Sequence, residues 1–166
     1  MKKFILSLAL VAGMASALNA QVDGKAIGLR FANGAEISYQ HPLGNVNRLE
    51  LDLGIISNSY YDHRLGLTGI YHWVWDLSSI TAGLKWYAGP GATLGFAYTP
   101  NFYSYSHYGF SSGLFIGIAG QIGAEYNFTF PLQVSVDYRP AIYIVNPDSN
   151  YSGAYGDICF SARYRF

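Results

Sequence analysis

The stretch that decides the fold runs from Gly113 to Arg139 and reads GLFIGIAGQIGAEYNF, TFP and LQVSVDYR. In its first part, every second residue from Leu114 to Phe128 is apolar and most of these are large, and the residues between them are small or polar apart from Phe115. The last part repeats the split, with apolar side chains set against Gln133, Ser135, Asp137 and Arg139. Successive side chains of a strand point to opposite faces, so the pattern predicts two strands with a turn at Thr129–Pro131. Because the apolar face is long and fits lipid, the sequence predicts a hairpin of a membrane β-barrel.

The composition of the whole chain agrees with a barrel in lipid. Of its 166 residues, 17% are aromatic and only 12% are charged, whereas soluble domains average about 25% charged residues. After the first twenty residues no run of about 18 apolar residues occurs, which excludes a helical membrane protein. The alternating signal of a transmembrane barrel remains. The formal net charge is zero, so nothing indicates binding to nucleic acid.

The first twenty residues have the order of a secretory signal peptide. Lys2 and Lys3 precede an apolar run, and small residues follow it up to Ala20. We expect cleavage after Ala17 or Ala20, which leaves a single barrel domain over residues 21–166. The only cysteine, Cys159, cannot form an intramolecular disulfide, so an exported domain of this size needs another source of stability. A closed barrel in lipid would supply it.

The alternation recurs along the chain and predicts eight antiparallel strands in an up-and-down order. It is clearest where Arg48, Glu50 and Asp52 alternate with leucines. We expect a polar loop over Ser57–His63, a fifth strand that starts near Ile80, and a bulge or kink at Pro90, which has no N–H to donate. Eight is the smallest strand number usual for outer-membrane barrels.

The lengths of the connections predict an orientation. Short turns at Pro42–Asn47, Asp76–Ser79 and Thr129–Pro131 suit the periplasmic side, and the longer loops suit the cell surface. Aromatic residues collect near these turns, as expected at a membrane–water interface; they are Tyr39, Trp73, Trp75, Tyr126, Phe128, Tyr164 and Phe166. A soluble lipocalin-like barrel, with apolar residues inside and charges outside, would give the same alternation. Export and the aromatic ends favour the outer membrane.

With the apolar face in lipid, the polar face fills the lumen. The predicted charge network contains Arg30, Glu36, Arg48, Glu50, Asp52, Arg64, Lys85, Glu125, Asp137, Arg139, Arg163 and Arg165. An eight-stranded barrel is only wide enough for its own side chains, and enclosed charges must pair. We therefore interpret the set as structural filling in preference to a conducting pore.

Several short sequence segments resemble those of known proteins. The export signal, the alternating strands and the final Arg163-Tyr164-Arg165-Phe166 resemble small outer-membrane barrels of the OmpA/OmpX-like type. Glu36–Pro42 (EISYQHP), Trp86–Gly89 (WYAG) and Glu125–Phe128 (EYNF) are similar to uncharacterised outer-membrane barrels of Bacteroidetes-type bacteria. The resemblance implies that Tyr164 and Phe166 signal to the barrel-assembly machinery, and that the partners are outer-membrane lipid and lipopolysaccharide. It implies no defined activity.

Catalysis is the weaker alternative. Some eight-stranded barrels modify lipid A with a serine, a histidine and an acid, which must lie within hydrogen-bond reach. The candidates are Ser57, Ser59, Asp62 and His63, and a second set of Ser104, Ser106 and His107. No motif fixes their geometry, so we do not predict an enzyme. Four scattered histidines and one cysteine predict neither a metal site nor a cofactor.

The loop after the fifth strand is rich in tyrosine and serine. Its aromatic residues are Tyr98, Phe102, Tyr103, Tyr105, Tyr108 and Phe110. Tyrosine with serine forms adaptable contact surfaces, so these residues are candidates for contact with an extracellular partner. Extension of the strands above the bilayer is the simpler interpretation. The sequence therefore predicts a structural or surface-interaction protein, with a lipid A-modifying enzyme or a small pore as alternatives.

Overall fold

A computed structural model describes residues 22, 24–59, 62–98, 113–145 and 154–166; of these, the side chains of 56–59, 62–63, 98 and 154 are not described. The predicted signal peptide lies outside this part of the chain. Within it there are eight strands: β1 Ala26–Phe31, β2 Gly34–Pro42, β3 Asn47–Ser59, β4 Asp62–Asp76, β5 Leu84–Tyr98, β6 Gly113–Asn127, β7 Leu132–Val145 and β8 Ala154–Arg165. Within the ranges described, no helix is long and apolar enough to cross a membrane.

The strands form a closed antiparallel up-and-down barrel in sequence order. Closure is made by β1 and β8, whose register pairs Ala26 with Arg165 and Phe31 with Phe160. At one end, hereafter the terminal end, lie the C-terminus and the connections at residues 43–46, 77–83 and 128–131; the opposite end is the loop end. The predicted all-β, eight-stranded antiparallel architecture is confirmed.

Two predicted boundaries were wrong. The fifth strand begins at Leu84 and not near Ile80, because Gly83 has a φ of 87° that breaks the extended path. A side chain is excluded there as well, since a Cβ on Gly83 would lie 2.3 Å from the carbonyl oxygen of Asn127. The expected loop over Ser57–His63 is mostly strand, since β3 continues to Ser59 and β4 starts at Asp62.

At Pro90, where the sequence predicts a bulge or kink, the ladder with β4 is interrupted but no bulge occurs. Strand β5 runs through Pro90, and its register with β6 is constant from Leu84 to Ala97. Pairing with β4 omits Gly89 and Pro90 and then resumes in the same register. A strand can therefore accommodate this proline by losing local pairing on one side without inserting a residue.

The alternation of side chains divides the molecule into a polar interior and an apolar exterior. Buried strand residues are mainly charged or polar, and the buried apolar cluster is small, consisting of Ile70, Ala119 and Ala141. Most large apolar side chains on the outer face of the strands are more than about a third exposed, with a maximum of 67% at Ile144. Every described strand contributes at least one of them, for example Leu29, Ile37, Leu53, Leu65, Leu94, Ile118, Ile142 and Phe160.

The lumenal charge network

The lumen is formed by the inward positions of all eight strands. Eleven of the twelve predicted network residues are buried there, with no more than 8% exposure. The exception is Arg165, which is half-buried at the terminal end and donates to the carbonyl oxygens of Phe128 and Phe130, at 2.5 and 3.1 Å. Because Arg165 lies near the end of β8, its side chain connects this strand to the β6–β7 turn.

Asp157 is a lumenal acid that the predicted network omitted. It is 8% exposed and lies opposite Arg139 in the β7–β8 register. Among the described residues, the buried charges are therefore six bases and six acids: Arg30, Arg48, Arg64, Lys85, Arg139 and Arg163 against Glu36, Glu50, Asp52, Glu125, Asp137 and Asp157. The interior is formally neutral, which keeps the cost of enclosing these charges down.

Arg30 is at the centre of one cluster of ion pairs. Its Nη1 lies 2.7 Å from Glu36 Oε2, and its Nη2 lies 2.5 Å from Asp137 Oδ1. Arg139 donates to both oxygens of Glu36, at 2.7 and 2.8 Å, and to Asp52 Oδ2 at 3.0 Å. These bonds connect strands β1, β2, β3 and β7 across the lumen, so they oppose collapse or shear of the barrel.

Glu50 is at the centre of a second cluster. Its carboxylate accepts hydrogen bonds from Gln40 Nε2 at 2.6 Å and Gln121 Nε2 at 3.2 Å, and Arg163 Nη2 lies 3.1 Å away. Arg163 also donates to Ser38 Oγ and Ser135 Oγ, at 2.8 and 2.9 Å. Fully buried acids and bases here satisfy one another with several partners each, as such groups must.

Aromatic side chains also occupy the lumen, and the predicted charge network did not include them. Tyr87 is fully buried, donates to Asp137 Oδ2 at 2.9 Å, and has the Arg48 guanidinium 4.6 Å from its ring centroid. Nearer the loop end, Arg64 lies 5.6 Å from the ring centroid of Phe115 and 5.1 Å from that of Tyr143. Tyr87 and Phe115 have the same parity as the predicted inward residues Lys85 and Glu125, but the predicted network contained only charged residues.

Little space is left between these side chains. The two best-defined cavities in the described part of the chain have volumes of about 20 and 10 Å³, room for about one water-sized group each. Within the same residues, no group of three or more His, Cys, Asp or Glu side chains is arranged to hold a metal ion. The lumen is thus a packed, polar core.

The other predicted site residues lie at the two ends. Tyr164 and Phe166 are outward-facing and exposed, and the backbone of Phe166 exchanges hydrogen bonds with Lys25, at 2.8 and 3.1 Å. At the loop end, Ser57 pairs with His63 and Ser59 with Asp62 in the β3–β4 backbone register, while their side chains lie outside the described residues. So do Ser104, Ser106 and His107.

The predicted contact loop is described only at its start. The backbone of Tyr98 ends β5 and pairs with His63. Phe102, Tyr103, Tyr105, Tyr108 and Phe110 lie outside the described residues, so their role as a contact surface stays a prediction.

Fold and interior together define the class of protein: a closed eight-stranded up-and-down barrel with a packed, ion-paired lumen. Among solved structures, the chain is similar to the crystal structure of Neisserial surface protein A (NspA), with a TM-score of 0.63 and 17% sequence identity. The match covers 86% of this chain and 93% of that chain. No protein-family model and no curated protein matches the sequence. The similarity establishes the fold, and the resemblance to OmpA/OmpX-like and Bacteroidetes-type barrels stays a prediction.

Proposed function

We propose that this protein is an outer-membrane β-barrel whose lumen is closed by ion pairs and whose loop end makes surface contacts. The observation that carries the proposal is the distribution of charged and apolar side chains between the inside and the outside of the barrel. No described side chain on the outer face of a strand bears a formal charge, whereas six bases and six acids are buried inside. This arrangement suits hydrocarbon around the barrel. A soluble lipocalin-like barrel would instead bury its apolar side chains and would not expose so large an apolar surface to water.

Aromatic packing at the terminal end supports the orientation. On the outer face, the rings of Trp75 and Trp86 stack with centroids 4.2 Å apart, and those of Phe128 and Phe130 stack at 5.0 Å. Rings of this kind concentrate at membrane–water interfaces. We place the terminal end at the periplasmic interface, where Tyr164 and Phe166 are positioned for recognition by the barrel-assembly machinery. Outer-membrane lipid and lipopolysaccharide then surround the outer face.

The packed lumen supports a structural role in preference to conduction. A pore needs a continuous water path, and within the described residues the cavities of about 20 and 10 Å³ between the buried ion pairs do not supply one. The charges instead stabilise the barrel wall, and contact with a partner falls to the loop end. The tyrosine-rich loop from Tyr98 to Phe110 is the surface we propose for an extracellular partner.

Heat-modifiable gel migration tests the membrane assignment. We expect the protein in the outer-membrane fraction, with a fast-migrating folded form in unheated detergent samples that shifts on boiling. The same preparation in planar bilayers should show no conductance steps. Recovery in the soluble periplasmic fraction with unchanged migration would contradict the proposal, and regular conductance steps would contradict the closed lumen.

Replacement of the loop tests the surface role. A variant in which residues 99–109 are exchanged for a short turn should keep the heat-modifiable form, because the replaced segment lies between β5 and β6. It should lose adhesion of whole cells to the host or matrix surfaces that the parent strain binds. Unchanged adhesion by the shortened variant would exclude this loop as the contact surface.

A further inference from the structure

The barrel wall has a notch at its loop end. Strand β1 ends at Phe31 and pairs with β8 only up to Phe160, while β8 starts six residues earlier, at Ala154. On the other side, β2 starts at Gly34, opposite Ile56, while β3 continues to Ser59. Among the described residues, the β1–β2 turn therefore ends below the strands beside it, and the side chain of Asn33 in this turn bonds to Tyr155 and Asp157 of β8.

Asp157 is the charged group of β8 that lies level with the notch. Both of its side-chain hydrogen bonds go to one oxygen, Oδ1: Asn33 Nδ2 donates at 2.7 Å and Tyr155 Oη at 2.5 Å. From the described residues, Oδ2 accepts no hydrogen bond and Asp157 forms no ion pair. Arg139 is the nearest lumenal base in the register, and it is already held by Glu36 and Asp52. Oδ2 is not among the enclosed side-chain atoms without a partner, so it reaches solvent. A carboxylate oxygen that is accessible and has only neutral neighbours as donors can take a cation as its further partner.

The space beside Asp157 limits the size of that cation. Asp157 and Arg139 border both cavities, one of about 20 Å³ that also contacts Thr68, Thr93 and Tyr155, and one of about 10 Å³ beside Asn33. Each holds about one water-sized group. A primary ammonium group has this size and carries three donors, which the Asp157 carboxylate and the two threonine hydroxyls can accept. A trimethylammonium group is too large.

The surroundings of the notch indicate what the ammonium group is attached to. Phe31, Ile55, Ile158 and Phe160 flank it on the outer face, between 48% and 65% exposed. Apart from the predicted signal peptide, the chain has eight lysines and arginines; six are buried in the lumen, and Lys25 and Arg165 are at the terminal end. At the loop end, therefore, no free base is present to bind an anion. A cation can bind the Asp157 carboxylate, and an apolar tail can pack against the apolar side chains of the wall.

We propose that the notch binds the primary ammonium head group of an amphiphile, with Asp157 as the recognising carboxylate and the tail against the apolar flank. The apolar part of this inference rests on the proposed membrane location. The ammonium part rests on Asp157 and the cavities alone.

Calorimetric titration of the whole protein in an uncharged detergent tests the site. Hexylammonium should bind saturably, and hexyltrimethylammonium, which has the same tail, at least about tenfold more weakly, because it lacks the N–H donors and the fit. Asp157→Asn should weaken hexylammonium binding by about tenfold or more. The matched control Asp76→Asn, at the β4–β5 turn, should bind as the parent protein does.

The outcomes separate the parts of the inference. Equal binding of the two hexyl compounds, or unchanged binding by an Asp157→Asn variant that keeps its heat-modifiable form, would overturn the site. Methylammonium binding as tightly as hexylammonium would support the carboxylate–ammonium contact and overturn the amphiphile. The fractionation assay reports on membrane location independently, so a soluble protein that still binds through Asp157 would contradict the proposed function and leave the ammonium site standing.

Discussion

The central and loop-end parts of the lumen are filled in different ways. In the centre, Glu50 and Arg163 are fully enclosed and each has several polar or charged partners. Towards the loop end, Arg64 lies against the rings of Phe115 and Tyr143, Thr68 bonds to Thr93, and Asp157 has only neutral donors. Both cavities border this second region.

The difference follows from distance to water. A charge far from either mouth must be compensated by protein groups, because an uncompensated buried charge costs several kcal/mol. Near a mouth, water can complete the solvation, so neutral donors and small cavities are tolerated. We therefore interpret the centre as the part that holds the barrel together, and the loop-end lumen as the part that can vary or bind a ligand without loss of the fold.

The largest expected effect compares an acid from each region. Glu50→Gln leaves Arg163 without its carboxylate and places an amide against the donors of Gln40 and Gln121, so we expect a loss of about 3–5 kcal/mol in the free energy of unfolding. Asp157→Asn removes a charge whose partners are neutral, and we expect a loss of about 1 kcal/mol or less. Urea titration of the heat-modifiable form in detergent measures both.

The parent protein and Asp76→Asn, a change at the half-buried last residue of β4, serve as references for this pair. Comparable losses for the two substitutions would show that the centre and the loop end carry stability equally, and the comparison between the two regions would fail.

Strand alternation explains how much of this could be predicted. A period of two determines which face a side chain occupies, and so it placed Arg30, Glu50 and Asp137 in the interior from sequence alone. The alternation does not determine where a residue lies along the barrel axis, nor which residues distant in sequence it contacts. Arg30 and Asp137 are 107 residues apart and meet only because the register of all eight strands brings them level.

The differences between the predicted charge network and the observed lumen have physical reasons. Arg165 has the parity of a lumenal residue but lies at the end of the last strand, where carbonyl oxygens of a turn are closer than the network. Asp157 has lumenal parity at the start of the predicted last strand, directly after a loop-like sequence, and the predicted network omitted it. Tyr87 and Phe115 are inward because a lumen lined by long arginines also needs flat rings to fill gaps and to contact guanidinium groups.

An intermediate effect tests the aromatic filling of the loop end. Phe115→Leu keeps an apolar side chain but removes the ring against which Arg64 lies and leaves part of its volume empty. We expect a loss of about 1–2 kcal/mol in the free energy of unfolding. Leu114→Ala, a change at the next residue on the outer face, is the control for the strand, and in detergent it should cost less. A loss for Phe115→Leu as large as that for Glu50→Gln would mean that the ring, and not the ion pairs, dominates stability.

The smallest expected effect concerns the Thr68–Thr93 pair, whose hydroxyl oxygens lie 2.9 Å apart across β4 and β5. Either Thr→Val change alone leaves a buried hydroxyl without its partner and should cost about 1 kcal/mol, whereas the double change replaces both with groups of the same shape and should be nearly neutral. A double-mutant cycle in urea therefore should show coupling of about 2 kcal/mol. If the single changes are also neutral, water from the adjoining cavity already satisfies the hydroxyls. This result would show that water solvates polar groups in the loop-end lumen, whereas Glu50 in the centre is satisfied by protein groups. If the double change costs as much as the sum of the singles, the pair is not coupled, and packing instead of hydrogen bonding holds this part of the wall.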